Sequence, residues 1–444
     1  MGYSSRYGKK PQELASKSSH IHIINDPEVK AFLEQCELPK FKENVKIKES
    51  YLHQAVFPSF NPITHLIAID GGYQEVPVDS SFPSSTLAFF QFGALLLDIA
   101  ALDHLKDEPF ISPEAMSKLK ELDRLKFALP IKNIATREAQ SLKLSIRRLI
   151  YDFFKKQNGH NSWLDTLNWF IYKEFEHALS DYQLANCPVC EKPRITLIKS
   201  QGKDGIYKCI HCGMPIFLTD VFRLHEAIDV DFGAGGILGY LTNLFEQFII
   251  INAIRNILID RPALMKSILF IKDGPLAFFG QTANMHAQMR NLVDFLIRKH
   301  DINLVGLEKS GAFVEHADEI KDLLKPGQYL LLSNHHIYKF IIPGDPNNSE
   351  PYARSSYYSG KMIYKAIDGR IYVLTIPTLD AKVMLDPKPS DYHNLDIILM
   401  NIEKLKCDMY DNALLPIAVV NKLVSLSNHP SSVLLEKFAK QSIH

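Results

Sequence analysis

The sequence predicts an α/β fold, and two observations carry this prediction. Two apolar runs, at residues 66–69 and 268–271, have the length and composition of strands buried on both faces of a sheet. Each run is followed at once, or after one residue, by an Asp-Gly pair. From residue 221 to 444 strand patterns alternate with helical patterns without a linker-like break, so we expect one α/β domain there.

Insertions divide this domain along the chain. A charged, helical stretch and a cysteine cluster separate the first strands from the remainder. The predicted organisation is an N-terminal arm over residues 1–60, the α/β domain over 61–104 and 221–444, a helical insertion over 105–185 and a four-cysteine module over 186–220.

The composition excludes a strongly basic nucleic-acid-binding protein. The 444 residues include 50 Lys and Arg and 50 Asp and Glu, so the formal net charge is zero. A DNA contact would therefore need a local groove or a partner subunit. The N-terminus has no apolar signal core, and the most apolar stretch, residues 248–259, is interrupted by polar side chains, so we expect no membrane segment and a cytoplasmic protein.

Asp70 is the first candidate site residue. It is the only Asp, Glu, Lys or Arg between Glu49 and Glu75, and it follows an apolar strand. A buried carboxylate needs a compensating group, and a divalent metal ion accepts such hard oxygen ligands. Gly71 and Gly72 would allow a sharp turn and the close approach of a ligand. The alternative is that Asp70 only opens a β-turn.

The next segments give one further strand and the helical insertion. Residues 87–101 read as a second core strand, and Asp98 or Asp103 near its end could belong to the site. Helices are predicted over 116–127, 136–156 and 163–182.

The cysteine spacing is the most specific local pattern. Two C-x2-C pairs are separated by eighteen residues, and two such knuckles form a tetrahedral four-thiolate site. Because the protein would fill all four positions, we predict a structural zinc ribbon with the ligands Cys187, Cys190, Cys209 and Cys212.

Glu246 is the second candidate site residue. It is the only charged residue between Asp231 and Arg255, within a helix predicted over 241–258 whose apolar spacing indicates burial. A buried Glu is rare unless it is paired or bound to metal. The alternative is a buried salt bridge with an arginine of the helical insertion.

Asp273 is the third candidate. It follows the second apolar strand, so two strands could deliver two carboxylates to one sheet edge, the minimum for metal-dependent phosphodiester cleavage. The remaining predicted elements are helices over 287–299, 394–410 and 414–426, and strands over 302–307, 329–332 and 371–376.

The order of these features resembles the NurA nuclease domain. The resemblance rests on Asp70-Gly71-Gly72, Glu246 in a buried helix, Asp273-Gly274 and Lys309-Ser310, and it spans most of 61–444 apart from 105–220. It implies an RNase H-like mixed sheet flanked by helices. It also implies a Mn²⁺- or Mg²⁺-dependent nuclease that degrades DNA ends as a homodimer with the hexameric HerA ATPase, in DNA repair or defence against foreign DNA.

By this resemblance Asp70, Glu246 and Asp273 bind the catalytic metal, and Lys309 contacts the scissile phosphate. Two metal ions about 4 Å apart would activate a water and stabilise the leaving oxygen. The family's last helix carries a site histidine, and Asn421 occupies its place here. Asn cannot accept and release a proton as histidine does. We therefore expect either that catalysis tolerates the loss of the histidine or that the nuclease activity is weak.

Two alternatives stay open from the sequence. One is a catalytically weak or inactive NurA-like subunit that uses its zinc ribbon to hold DNA or a partner protein. The other is an RNase H-like enzyme that acts on RNA or on a DNA–RNA hybrid.

Overall fold

The computed structural model describes residues 23–36, 45, 47–79, 84–100, 120–158, 161–408, 410, 412–426 and 431–443. The chain forms two compact units, Met1–Val45 and Lys46–His444. Helix α1 (Pro27–Glu34) belongs to the first unit, and Asp26 caps it by accepting hydrogen bonds from the backbone N–H groups of Glu28 and Val29.

The second unit is built on one large sheet and three small hairpins. The described strands, in chain order, are β1 (Leu52–Gln54), β2 (His65–Asp79), β3 (Ser85–Asp98), β4 (Lys120–Lys132), β5 (Gln157–Asn158), β6 (Asn161–Ser162), β7 (Asp181–Asn186), β8 (Pro193–Ile198), β9 (Ile206–Lys208), β10 (Pro215–Phe217), β11 (Ile268–Asp273), β12 (Asn303–Glu308), β13 (Gln328–Leu331), β14 (Ser359–Lys365) and β15 (Ile371–Pro377).

Nine strands form the large sheet, in the order β1-β13-β14-β15-β12-β11-β2-β3-β4. Strand β11 is parallel to both β2 and β12, and the other neighbours are antiparallel. The predicted α/β fold with a mixed sheet flanked by helices is therefore confirmed.

The other described helices are α2 (Leu142–Lys155), α3 (Trp163–Ile171), α4 (Leu238–Asp260), α5 (Met285–His300), α6 (Ala312–Ile320), α7 (Asn334–Phe340), α8 (Leu395–Lys404), α9 (Leu415–Val424) and α10 (Ser431–Ile443). Helices α4 and α9 cover opposite faces of the sheet. Phe92 of β3 packs on Phe245 of α4, whereas a Cβ on the next residue, Gly93, would meet Val424 of α9.

Helix α4 is the central element of the core. Its predicted apolar face is buried, and so are residues on its other faces. With the turn before it (Gly235–Asp260) it is long and apolar enough to cross a membrane, but 67% of its most apolar window lies inside the protein. That burial is typical of a core helix, as the sequence predicted.

The prediction of a turn after Asp70 is wrong. Strand β2 runs straight through Gly71 and Gly72 to Asp79, because its antiparallel pairing with β3 continues over this length. Gly71 instead permits close packing. A Cβ there would lie 2.4 Å from Cδ1 of Phe92 and 3.3 Å from Oε1 of Glu246. Asp70 therefore stands within a strand rather than at its end.

Part of the predicted helical insertion is also sheet. Residues 120–127, expected to be helical, belong to β4, because the unpaired edge of β3 offers a long ladder and apolar residues alternate inward as far as Leu129 and Ile131. The first residues of that predicted helix, 116–119, lie outside the described residues, as does Asp103. Helix α3 ends at Ile171, so the predicted helix over 163–182 is too long. Strand β3 confirms the predicted core strand.

Two further strands of the large sheet were not predicted. Residues 52–54 of the predicted N-terminal arm form edge strand β1, which pairs with β13. Strand β14, between β13 and β15, was also not predicted. The strands and helices that were predicted after residue 285 agree with the structure within a few residues at their ends, apart from α8, which ends at Lys404. Helices α6, α7 and α10 were not predicted.

Candidate active site

Two of the predicted carboxylates stand side by side on neighbouring parallel strands. Ile69 of β2 is in register with Lys272 of β11, so the next positions along the two strands are Asp70 and Asp273. Strand β11 ends at Asp273, whereas β2 continues to Asp79. The end of β11 leaves a notch in the sheet beside Asp70.

Asp70 is almost completely buried, with 2% of its surface exposed. Its Oδ1 accepts a hydrogen bond of 2.8 Å from the backbone N–H of Gly71. Its Oδ2 accepts one of 2.8 Å from Nδ2 of Asn421 on α9. Asn421, which the sequence predicted to stand where the family has a histidine, therefore contacts the Asp70 carboxylate directly.

Glu246 reaches the same notch from α4 on the other face of the sheet. Gly71 makes this possible, because it has no side chain in the path of the Glu246 carboxylate. Oε2 of Glu246 lies 2.6 Å from Nζ of Lys272. Glu246 is thus ion-paired, as the alternative reading expected, but with a lysine of β11 instead of an arginine of the helical insertion.

Lysines contact two of the three carboxylates. Lys272 is 2% exposed, and its ammonium group also donates to the carbonyl oxygen of Asp273 at 2.6 Å. Nζ of Lys309, which follows β12, lies 2.7 Å from Oδ2 of Asp273. Sequence reasoning missed Lys272, although a charged residue in an otherwise apolar strand was a visible signal.

The surroundings of Asp70 and Glu246 raise the pKa of both carboxyl groups. Burial, followed by the charges of Asp273 and Glu246, raises the pKa of Asp70 to about 8, against the opposing effects of Lys309 and Asn421. Burial and the charge of Asp273 likewise raise the pKa of Glu246, although Lys272 opposes them. A cation placed among these oxygens would relieve this repulsion.

Asp98 does not join this group. It pairs with His65 at the start of β2, at the opposite end of the strand segment that leads to Asp70. Its carboxylate accepts a hydrogen bond from the backbone N–H of Ala100 and lies at the surface.

The four cysteines form a separate cluster. Cys187 and Cys190 lie in the turn between β7 and β8, and Cys209 and Cys212 in the turn between β9 and β10. All four Sγ atoms lie within 4.8 Å of one another. The separations of 3.9 Å (Cys187–Cys212) and 3.8 Å (Cys190–Cys209) match the edge of about 3.8 Å expected for a tetrahedron with zinc–sulfur bonds of about 2.3 Å.

Backbone groups favour the thiolate of Cys209, whereas burial raises the pKa of the Cys187 thiol. Burial alone would raise the pKa of Cys209, but the N–H groups of Cys212 and His211 help to lower it to about 7. The thiolate is the form that binds metal. Among the described residues, this cluster is the one group of three or more His, Cys, Asp or Glu side chains arranged to hold a metal ion without movement. The lysine-paired carboxylates would first have to rearrange.

Comparison with known proteins finds similarity only among solved structures. No protein-family model matches the sequence, and no curated protein matches it. The NurA nuclease from Sulfolobus solfataricus has a TM-score of 0.38 and 10% identity, over 96% of this chain and 95% of that one. "NurA with manganese" has a TM-score of 0.31 and 13% identity, over 94% and 97% of the two chains. A further NurA structure has a TM-score of 0.30 and 11% identity, over 96% and 97%. TM-scores this low leave the function to be argued from the site itself.

Proposed function

We propose that this protein is a metal-dependent DNA nuclease whose active site is formed by Asp70, Glu246 and Asp273. The observation that carries the proposal is their convergence. Three carboxylates from β2, α4 and β11 meet at a notch in the sheet, and burial, followed by the charges of Asp273 and Glu246, raises the pKa of Asp70 to about 8. A site that concentrates negative charge in this way is suited to Mn²⁺ or Mg²⁺.

The donor set fits such an ion. Carboxylate oxygens are the ligands that Mn²⁺ and Mg²⁺ prefer, and Asp70, Glu246 and Asp273 would hold the metal. When bound, it would polarise the phosphate, activate a water and stabilise the leaving oxygen.

The protein's own groups would position the reacting parts. Asn421 and the N–H of Gly71 fix both oxygens of Asp70. Lys272 holds Glu246 in the notch. Lys309 is 30% exposed, so its ammonium group could move from Asp273 to a phosphate oxygen of the substrate once a metal neutralises Asp273.

The wider assignment is also a proposal. The protein would process DNA ends in the cytoplasm as a homodimer with a HerA-like ATPase, in DNA repair or in defence against foreign DNA. The formal charge of zero supports a nuclease that receives DNA from a motor protein, because it provides no strong field for capturing DNA alone. The four-cysteine cluster would hold a structural zinc ion.

Cleavage of linear duplex DNA in Mn²⁺ tests this function. We expect Asp70→Ala and Asp273→Ala to lose at least a hundredfold in rate, with and without a HerA-like ATPase, because each removes a proposed metal ligand. Asp98→Ala is the matched control: it removes a carboxylate from the same sheet, away from the notch, and should cleave like the wild type.

Zinc content and thermal unfolding should be measured for each variant, so that loss of cleavage is not confused with loss of fold. No cleavage by the wild type under any of these conditions, or equal cleavage by all variants, would refute the assignment.

A second candidate function is a weak or inactive subunit that binds DNA or a partner protein. The observation that favours it is that side chains of the protein already contact the three carboxylates in the notch. Asn421 contacts Asp70 where a proton carrier would stand, and lysine ammonium groups already pair with Glu246 and Asp273. On this reading no Mn²⁺ binds at the carboxylates, whereas zinc stays in the cysteine cluster.

A further inference from the structure

The cysteine module carries a local positive charge within a neutral protein. Residues 186–220 contain five basic side chains and three acidic ones, a net charge of +2. The basic side chains are Lys192, Arg194, Lys199, Lys203 and Lys208, and the acidic ones are Glu191, Asp204 and Asp220, the last of which pairs with Arg147 from outside the module. The function proposed above makes no use of this charge.

Most of this charge is unneutralised. Lys199 pairs with Glu174 at 2.9 Å, and Asp204 pairs with Lys155 from outside the module at 3.3 Å. Arg194, Lys203 and Lys208 are exposed, and no acidic side chain in the described part of the chain forms an ion pair with them.

Two of these cations line one groove. Lys203, Lys208 and Thr196 line a depression of about 460 Å³ together with Ile210, which is 80% exposed. Asp204 also lines it, but its carboxylate pairs with Lys155. The exposed Arg194 lies two residues before Thr196 on β8. Ile210 lies between Cys209 and Cys212, so a metal ion bound by the thiols would hold the groove rigid.

We propose that this groove binds the sugar-phosphate backbone of a DNA strand. The proposal rests on the proposed nuclease function, and it adds a second contact surface outside the carboxylate notch. Two unpaired lysines in the groove, with the unpaired Arg194 two residues from its Thr196, complement a row of phosphates. The Thr196 hydroxyl can donate to a phosphate oxygen, and the exposed Ile210 can pack on a sugar. With no base-reading group in this set, binding would be independent of sequence.

The test is the affinity for a labelled duplex oligonucleotide, measured over a series of salt concentrations without added divalent metal, so that no cleavage occurs. The variant Arg194→Gln, Lys203→Gln, Lys208→Gln should bind about tenfold more weakly or worse. The slope of log affinity against log salt should also fall by about 0.9 for each lost phosphate contact. With a single-stranded oligonucleotide, the slope of log affinity against log salt should fall by about 0.7 for each phosphate contact that the variant loses.

The matched control removes the same charge elsewhere. The control uses three exposed lysines at the end of the sheet opposite Asp273. Lys266 precedes β11, Lys299 precedes β12 and Lys382 follows β15. Their triple replacement by Gln should leave the salt slope at the wild-type value. Zinc content and thermal unfolding of both triple variants should match the wild type.

The proposal would be overturned if the variant with the three Gln replacements had the DNA affinity and salt slope of the wild type. It would also be overturned if that variant bound an acidic protein more weakly but still bound DNA normally. The two proposals fail separately. If the wild type cleaves DNA and the groove variant binds DNA as tightly as the wild type, only the proposal of a DNA-binding groove is refuted. Weakened DNA binding without wild-type cleavage in Mn²⁺ would refute only the nuclease assignment.

Discussion

At the scale of single residues, Asp70 concentrates the electrostatic cost of the site. A carboxyl group that remains protonated to about pH 8 in the folded protein ionises near pH 4 when the chain unfolds. Between these two values the unfolded state releases the proton and the folded state retains it. The contribution of Asp70 to stability is therefore complete below pH 4 and is lost as the pH rises to 8.

This linkage gives a prediction for metal-free protein. Between pH 5 and pH 8, the free energy of unfolding of the wild type should fall relative to that of Asp70→Ala by up to about 1.4 kcal/mol per pH unit. Urea unfolding of both proteins at several pH values measures this difference. Parallel pH profiles would show that Asp70 ionises normally, without the repulsion inferred for the notch.

Loss of Lys272 should cost the protein substantial stability. Lys272→Met leaves the Glu246 carboxylate buried and unpaired, so we expect destabilisation by about 3–5 kcal/mol. Adding Glu246→Gln should restore part of this loss, because the uncompensated charge is then removed. Urea unfolding of the two single variants and the double variant gives the coupling energy. Additive effects would contradict a direct pair.

At the scale of elements, Gly71 lets strand β2 and helix α4 meet. Gly71→Ala should destabilise the protein by about 1–3 kcal/mol, because its Cβ would overlap the Phe92 ring and crowd Glu246. Gly72→Ala is the matched control, since its Cβ would find its nearest atom, the Val424 carbonyl oxygen, at 3.6 Å. Equal losses of stability in thermal unfolding would refute this packing argument.

The four hairpin strands around the cysteines should depend on the proposed zinc ion. Cys190→Ser should lose zinc and lower the hydrogen-exchange protection of β7 to β10, while β2 and β3 keep theirs. Cys36→Ser alters an exposed cysteine outside the cluster and should retain the wild-type zinc content. Unchanged protection in Cys190→Ser would mean that packing alone holds these hairpins.

Sequence patterns predicted the elements whose signal is local. The strand before Asp273 is uniformly apolar, and the cysteine spacing defines a site within a few residues, so both were visible. Strand β4 was not predicted, because its charged first half has the sequence pattern of a solvent-exposed helix. It forms a strand because it pairs with the long edge of β3. The course of β2 beyond Gly71 also depends on pairing with a distant strand.

At the scale of the whole molecule, the site exists only because distant segments converge. Asp70, Glu246, Asp273 and Asn421 come from four elements spread over 352 positions of the chain, positions 70 to 421 inclusive. The sequence identified Asp70 and Glu246 as isolated charges in apolar surroundings, and Asp273 as the acid that follows the second apolar strand. It did not identify their lysine partners, because an ion pair depends on register between strands and on which helix covers which face.

Mn²⁺ binding, measured by calorimetric titration of the zinc-loaded protein without DNA, tests the central claim most directly. The wild type and Asp98→Ala should bind Mn²⁺, whereas Asp70→Ala and Asp273→Ala should bind it at least tenfold more weakly, with zinc retained in all four proteins. Absence of Mn²⁺ binding by the wild type, or equal binding by all four proteins, would contradict a metal site at the carboxylate notch.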